Sequence, residues 1–197
     1  MARASKRRGA GPPHDLVHRR EVLRLDRDPL RVVAVADTHG RPHPMLGARL
    51  AELGPAHILH AGDVGGHAVI RELEKHAPVT AVRGNIDGRE WPDVVTVQVQ
   101  TDEGTLLRIL LTHIAVAGLG LRADVAAMAR TEEASLVVCG HSHVPFAAND
   151  RGITVYNPGS VGPRRFQLPI VLGVIDVSTK GVALRHVDCE TGEPWTP

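Results

Sequence analysis

Two aspartates, four histidines and one asparagine stand directly after short apolar runs: Asp37 and His39, Asp63, Asn85, His113, then His141 and His143. Oxygen donors mixed with imidazole nitrogens suit manganese, iron, cobalt, nickel or zinc better than calcium. Seven donors exceed what one tetrahedral ion takes. They suit two ions that share a bridging carboxylate and leave positions for water and substrate oxygens. A pair of that kind, typically about 3.5 to 4 Å apart, acidifies a bridging water and stabilises charge on phosphoryl oxygens. The chemistry expected of these residues is hydrolysis of phosphate esters by a hydroxide activated between two divalent ions.

Each residue taken alone has a plainer role. Asp63 would cap the turn that follows it, Val64-Gly65-Gly66, and Asn85 would shape a turn with Asp87-Gly88. The pattern gains its meaning from where the residues sit. In open α/β sheets, ligands gather outside the carboxyl ends of the strands, so residues there converge even when far apart in sequence. His141 and His143, two residues apart, also project to the same side of an extended segment.

The elements that must position them are legible in the hydrophobic pattern. Arg31–Ala36 is a continuous β-branched run, as expected of a strand covered on both faces. Met45–Leu53 repeats leucine at helical spacing and stops at Gly54-Pro55, and His57–Ala61 is a second strand. Ala68–His76 reads as a helix closed by Pro78, and Val79–Arg83 as a third strand. From Asp93 the texture turns to hairpins: alternation over Val95–Val99, a turn at Gly104, and an apolar strand over Leu106–Leu111. A helix over Leu121–Arg130 and strands over Ser135–Cys139, Ile153–Tyr156, Ile170–Val177 and Val182–Val187 complete the reading. Interleaved helices early and hairpins later predict an α/β (α+β) chain with two packed sheets and helices outside, since each apolar sheet face must be covered.

The motifs Asp37-x-His39, Gly62-Asp63, Gly84-Asn85, His113 and Gly140-His-x-His143 together resemble the calcineurin-like metallophosphoesterase superfamily. Gly84-Asn-Ile-Asp87, Asn157-Pro-Gly-Ser160 and the short chain are similar to its small bacterial and archaeal phosphodiesterase branch, over about residues 31–187. The resemblance implies a four-layer α-β-β-α sandwich of two mixed sheets. It also implies that Asp37, His39 and His143 hold a first ion, that Asn85, His113 and His141 hold a second, and that Asp63 bridges them. Manganese is the first expectation, with iron, nickel, cobalt or zinc as alternatives. Asp63, Asn85 and Asp87 become the expected catalytic residues, and Asn85 and His113 the expected substrate contacts. Two departures stand out. Ile86 follows Asn85 where many relatives have a histidine, which turns attention to Asp87 for ligand orientation or proton transfer. Thr112-His-Ile-Ala115 replaces a common His-Gly-His, so the local pocket differs.

Composition bounds the remaining possibilities. The 197 residues, 43% hydrophobic, suffice for one domain, expected over residues 29–197 after a basic, disordered tail over residues 1–28. A net charge of +1 gives no general pull toward nucleic acid or anionic membrane, and 3% aromatic residues leave no supply of stacking platforms. Cys139 and Cys189 cannot build a disulfide framework, and no apolar run before residue 30 resembles a secretion signal. A cytoplasmic protein acting on a small phosphoester is expected, with no membrane partner, nucleic acid only as a substrate, and oligomeric state open. The alternative is a noncatalytic interaction scaffold on the same fold. Asn157–Ser160 reads first as backbone geometry beside the site, Cys139 as a buried thiol, and His43 and His67 as weak supports behind the ligands.

Overall fold

A computed structural model of the chain describes residues 15–196. Its framework is two six-stranded sheets. In the first, the strands β2 (Leu30–Val35), β3 (His57–His60) and β4 (Val79–Ala81) run parallel, and β2 also pairs antiparallel with β12 (Val171–Ser178). In the second, β6 (Gly104–Thr112), β9 (Leu136–Val138) and β11 (Ile153–Asn157) run parallel, with β5 (Val94–Thr101) antiparallel beside β6.

Alternation along the strands sorts the side chains into three cores. On β2, Val32 and Ala34 point between the sheets and meet Leu59, Val97, Ile109, Leu111 and Val138, while Val33 and Val35 point the other way. That second face is covered by α1 (Leu46–Leu53) and α2 (His67–Glu74), through Leu46 and Leu50 and through Val69 and Leu73, pairs spaced one helical turn apart. The outer face of the other sheet is covered by α3 (Ala123–Thr131) through Val125 and Ala129. The layers are therefore α-β-β-α, as expected. Each fully buried Val, Leu or Ile contributes roughly 1.5–3 kcal/mol relative to exposure, so the interleaved sheets form a stiff base for whatever the loops carry.

Register delivers those loops level with one another. Val35, His60 and Ala81 lie in one row of the first sheet, and Leu111, Val138 and Tyr156 in one row of the second. The segments bearing Asp37, Asp63 and Asn85 thus leave together, as do those bearing His113, His141 and Asn157.

One boundary needs correction. The basic tail expected over residues 1–28 lies outside the described residues for 1–14, but His18–Arg24 form a strand, β1, parallel to β5 at the sheet edge. Its charged composition hid it. An edge strand pairs through its backbone and needs few apolar contacts; here Leu23 and Leu25 pack on the inter-sheet core, and Arg20 is tied to Glu132 at 2.5 Å. The short strands β7 (Val116–Ala117), β8 (Gly120–Leu121), β10 (Phe146–Asp150) and β14 (Pro194–Trp195) likewise lack a hydrophobic signature of their own. Among the described residues, no helix is long and apolar enough to cross a membrane.

Candidate metal centre

The structure gathers Asp37, His39, Asp63, His113 and His143 at the level strand ends. The ligating atoms of Asp37, His39 and His143 all lie within 4.8 Å of one another, and so do those of Asp37, Asp63 and His113. His143 Nε2 is 3.3 Å from Asp37 Oδ1 and 3.4 Å from His39 Nε2. Asp63 faces both halves: Oδ2 is 3.6 Å from His39 Nε2, and Oδ1 is 3.4 Å from His113 Nε2. Asp63 thus lies between His39 and His113, and Asp37 is the carboxylate that belongs to both groups.

The other two expected ligands sit at the rim. His141 is exposed, with its ring centroid 5.2 Å from that of His113 and its backbone N–H donating to Asp37 Oδ2 at 3.0 Å. Asn85 is exposed on the loop after β4, next to Ile86, whose N–H donates to Asp63 Oδ1 at 3.1 Å.

The donor set fits cations. Asp37 Oδ1 and His113 Nε2 are buried without a hydrogen-bond partner, although such groups are normally satisfied. His113 Nδ1–H donates to the Ala61 carbonyl at 2.7 Å, which leaves the Nε2 lone pair aimed into the cluster. Burial lowers the pKa of His39, favouring the neutral ring that a cation requires. Carboxylate oxygens and imidazole lone pairs thus converge on one another, an arrangement that positive charge between them would stabilise.

Backbone conformation shows what the chain sustains to achieve this. Asp37, His39, Asp63, His141 and His143 have φ of 56°, 48°, 53°, 69° and 60°, and they make up five of the eight described non-glycine residues in the left-handed region. Such conformations cost free energy and cluster at functional sites. Close approach adds to it: a methyl on Gly84 would overlap the backbone nitrogen and Oδ1 of Asp63, and one on Gly62 would lie 2.6 Å from His113 Nδ1.

Several residues act differently from expectation. Asp87 is buried and accepts from the backbone N–H groups of Val64, Gly65 and Gly84 at 2.9, 2.8 and 2.8 Å. Both its oxygens are occupied in tying the Asp63 loop to the Asn85 loop, the arrangement of a residue that orients ligands. His43 lies 3.8 Å from Glu190 and 3.9 Å from the Cys189 sulfur, and His67 packs on Trp91; these contacts do not run to the ligand side chains. Asn157–Ser160 does shape the backbone. Asn157 Nδ2 donates to the Gly140 carbonyl at 2.8 Å, and Ser160 Oγ to the Asp37 carbonyl at 3.2 Å. Burial pushes the Cys139 thiol up to about 12, which suits an inert core residue.

Sequence reasoning passed over His60 and Thr38. His60 is fully buried behind the site, with Nε2 2.9 Å from Thr38 Oγ1, and that hydroxyl donates onward to the Val64 carbonyl at 2.8 Å. The hydroxyl has one proton, so His60 must supply the hydrogen of the other bond. An Asp-Thr-His triplet before a glycine hints at Thr38, but nothing local marks His60. Beside His113 a cleft of about 250 Å³ opens, lined in part by Arg83, Gly84, Thr112, Ile114 and Arg122.

Fold and site together define a candidate cation-binding centre at the strand ends of a two-sheet sandwich. Residues 30–180 match the model of the calcineurin-like phosphoesterase superfamily domain, well over half of the 197 residues, and the chain belongs to that family. A probable metallophosphoesterase of Methanothermobacter thermautotrophicus is 31% identical over 118 residues, 58% of this chain and 66% of that relative, just under two thirds of its length. Yfce, a phosphoesterase from E. coli, superposes with a TM-score of 0.59 at 22% identity, covering 84% of this chain and 97% of that one. Vps29 from Entamoeba histolytica, complexed with Zn2+, gives a TM-score of 0.65 at 17% identity, covering 84% and 96%. At these identities the two solved structures establish the shared fold.

Proposed function

We propose that the protein is a metal-dependent phosphoesterase acting on small phosphodiesters. The observation that carries this reading is the convergence of unpartnered lone pairs from Asp37, His113 and their neighbours at the strand ends. Asp37, His39 and His143 would hold one divalent ion, and His113, Asn85 and His141 a second, with Asp63 between them. Manganese is our first assignment. The zinc bound by the Entamoeba Vps29 supports a transition metal, with iron, nickel and cobalt as further candidates.

Two such ions would supply Lewis-acid charge for the phosphoryl oxygens and an acidified water as nucleophile. The chain does the positioning. His113 holds its ring through Ala61, the Ile86 N–H fixes one Asp63 oxygen, and Asn85 and His113 would be the substrate contacts. Asp87 is engaged with three backbone N–H groups, and Ile86 stands where the family resemblance would place an acid histidine. Esters whose leaving oxygen needs little protonation are therefore the preferred substrates. The protein would be cytoplasmic and without a membrane partner, with nucleic acid entering only as substrate; the net charge of +1, which gives no general pull toward either polyanion, supports the partner part of this reading.

The test is hydrolysis of bis-p-nitrophenyl phosphate by metal-stripped protein reloaded with manganese, nickel, zinc or magnesium, beside Asp63→Asn. Turnover restored by a transition metal, stopped by EDTA and reduced to background in the variant is the expected result. A fully active Asp63→Asn protein would sink the reading. No turnover with any metal would favour the noncatalytic scaffold, against which the gathering of Asp37, His39, Asp63, His113 and His143 argues.

A further inference from the structure

One cation reaches the cluster without belonging to the ligand set. Arg165 Nη2 lies 3.1 Å from His39 Nε2, across 126 residues of sequence, and the guanidinium donates to that ring lone pair. Three neighbouring arginines are neutralised: Arg83 by Asp93 at 3.1 Å, Arg122 by Asp124 at 2.9 Å, and Arg164 by Glu190. Among the described residues, no carboxylate lies within ion-pair distance of Arg165. Its planar fork of donors remains free to meet phosphoryl oxygens in a paired geometry that lysine does not offer.

The segment that carries Arg165 is held at both ends. Upstream, Ser160 Oγ donates to the Asp37 carbonyl at 3.2 Å, the Val161 N–H to the Ala36 carbonyl at 3.2 Å, and the His43 N–H to the Val161 carbonyl at 2.7 Å. Downstream, the Val171 N–H donates to the Ser160 carbonyl at 3.1 Å and the Cys189 N–H to the Ile170 carbonyl at 2.8 Å, and between the anchors the Leu168 N–H closes a turn on the Arg165 carbonyl at 3.1 Å. The backbone is thus fixed to the very loop that bears Asp37 and His39, while the Arg165 side chain itself stays exposed. Such a combination places a mobile charge at a defined distance from a rigid site.

A single lone pair on His39 Nε2 cannot serve a guanidinium and a cation together. We propose that Arg165 is the phosphoryl-binding residue of the site. It occupies His39 Nε2 when the site is free of metal, yields that atom on metal loading, and then donates to a nonbridging oxygen of the bound phosphoryl group. The assignment deepens the phosphoesterase reading and rests on it for the identity of the substrate. It adds a prediction that the ligand set alone does not make: Arg165 opposes metal binding slightly and favours anion binding strongly.

The experiment compares the wild-type chain with Arg165→Ala, Arg165→Lys and Phe166→Ala. Phe166 is 93% exposed on the same loop, so its variant controls for disturbance of the segment. Manganese is first titrated into metal-stripped protein by calorimetry, then inorganic phosphate into the loaded protein, and finally kcat/KM is measured with bis-p-nitrophenyl phosphate. For Arg165→Ala we expect manganese affinity equal to or above wild type, phosphate binding weaker by about 10- to 100-fold, and a fall in kcat/KM of similar size. Arg165→Lys should recover part of both losses, and Phe166→Ala neither lose nor gain phosphate affinity. Phosphate binding within twofold of wild type in Arg165→Ala would overturn the proposal. So would a parallel loss of manganese affinity, which would make Arg165 a prop for His39, and so would a loaded wild-type protein that binds no phosphate. If phosphate binding follows Arg165 but no variant or wild type hydrolyses the ester, Arg165 keeps its role and the hydrolase reading fails instead.

Discussion

Replacing His60 with glutamine should remove much of the acid sensitivity of the fold. His60 is fully buried, it donates through Nε2 to Thr38, and its Nδ1 is without a partner. Burial pulls its pKa from 6.5 down to about 4. The folded value lies below the unfolded one, so the unfolded chain binds a proton first as the pH drops. His60 therefore takes no stability away above about pH 6.5, and it destabilises progressively from there to about pH 4, where the native ring also protonates. The linkage relation gives a loss of about 2 kcal/mol on going from pH 7 to pH 5, and about 3 kcal/mol in full. Glutamine does not titrate, and its amide N–H can still donate to Thr38 Oγ1. Urea unfolding of metal-free wild type and His60→Gln at pH 7, 6 and 5 isolates the term, because the remaining histidines are common to both proteins. Wild type should lose about 2 kcal/mol more than the variant across that range. Parallel decline of the two curves would refute the assignment of a buried neutral ring behind the site.

Removing the Asp87 carboxylate in Asp87→Ala leaves three backbone N–H groups without their acceptor. We expect a loss of about 3 kcal/mol in denaturant unfolding together with impaired metal binding; an unchanged midpoint would show that the two loops are held by other means. Adding one methyl in Gly84→Ala drives it into Asp63, so that carboxylate must move. Activity with manganese should fall at least about 100-fold while circular dichroism stays near wild type, in keeping with the cost of small displacements at reacting centres; retained turnover would mean that the Asp63 position is not critical.

Much of the architecture is written in hydrophobic periodicity. The runs Arg31–Ala36, His57–Ala61 and Leu106–Leu111 are apolar at most positions, without strict polar alternation, and that pattern calls for cover on both faces. The strand β1 was hidden because His18–Arg24 is largely charged, and backbone pairing at an edge leaves no apolar trace. Phe146–Asp150 was hidden for the same reason, being mostly exposed.

For the site, the sequence by itself determined the donor types, their order along the chain and their place after strands, because metal chemistry constrains residue identity and strand ends constrain position. It carried no information on which side chains meet across long separations. Only tertiary structure decided that Asp63 faces His39 with one oxygen and His113 with the other, and that Asp87 spends both oxygens on backbone N–H groups. The same holds for His60 behind Thr38 and for Arg165 against His39, residues separated by 22 and 126 positions. Residue type and period are local properties and can be read one window at a time. Hydrogen bonds, lone-pair direction and left-handed backbone depend on how two sheets and their loops close on each other, and they exist only once the chain has folded.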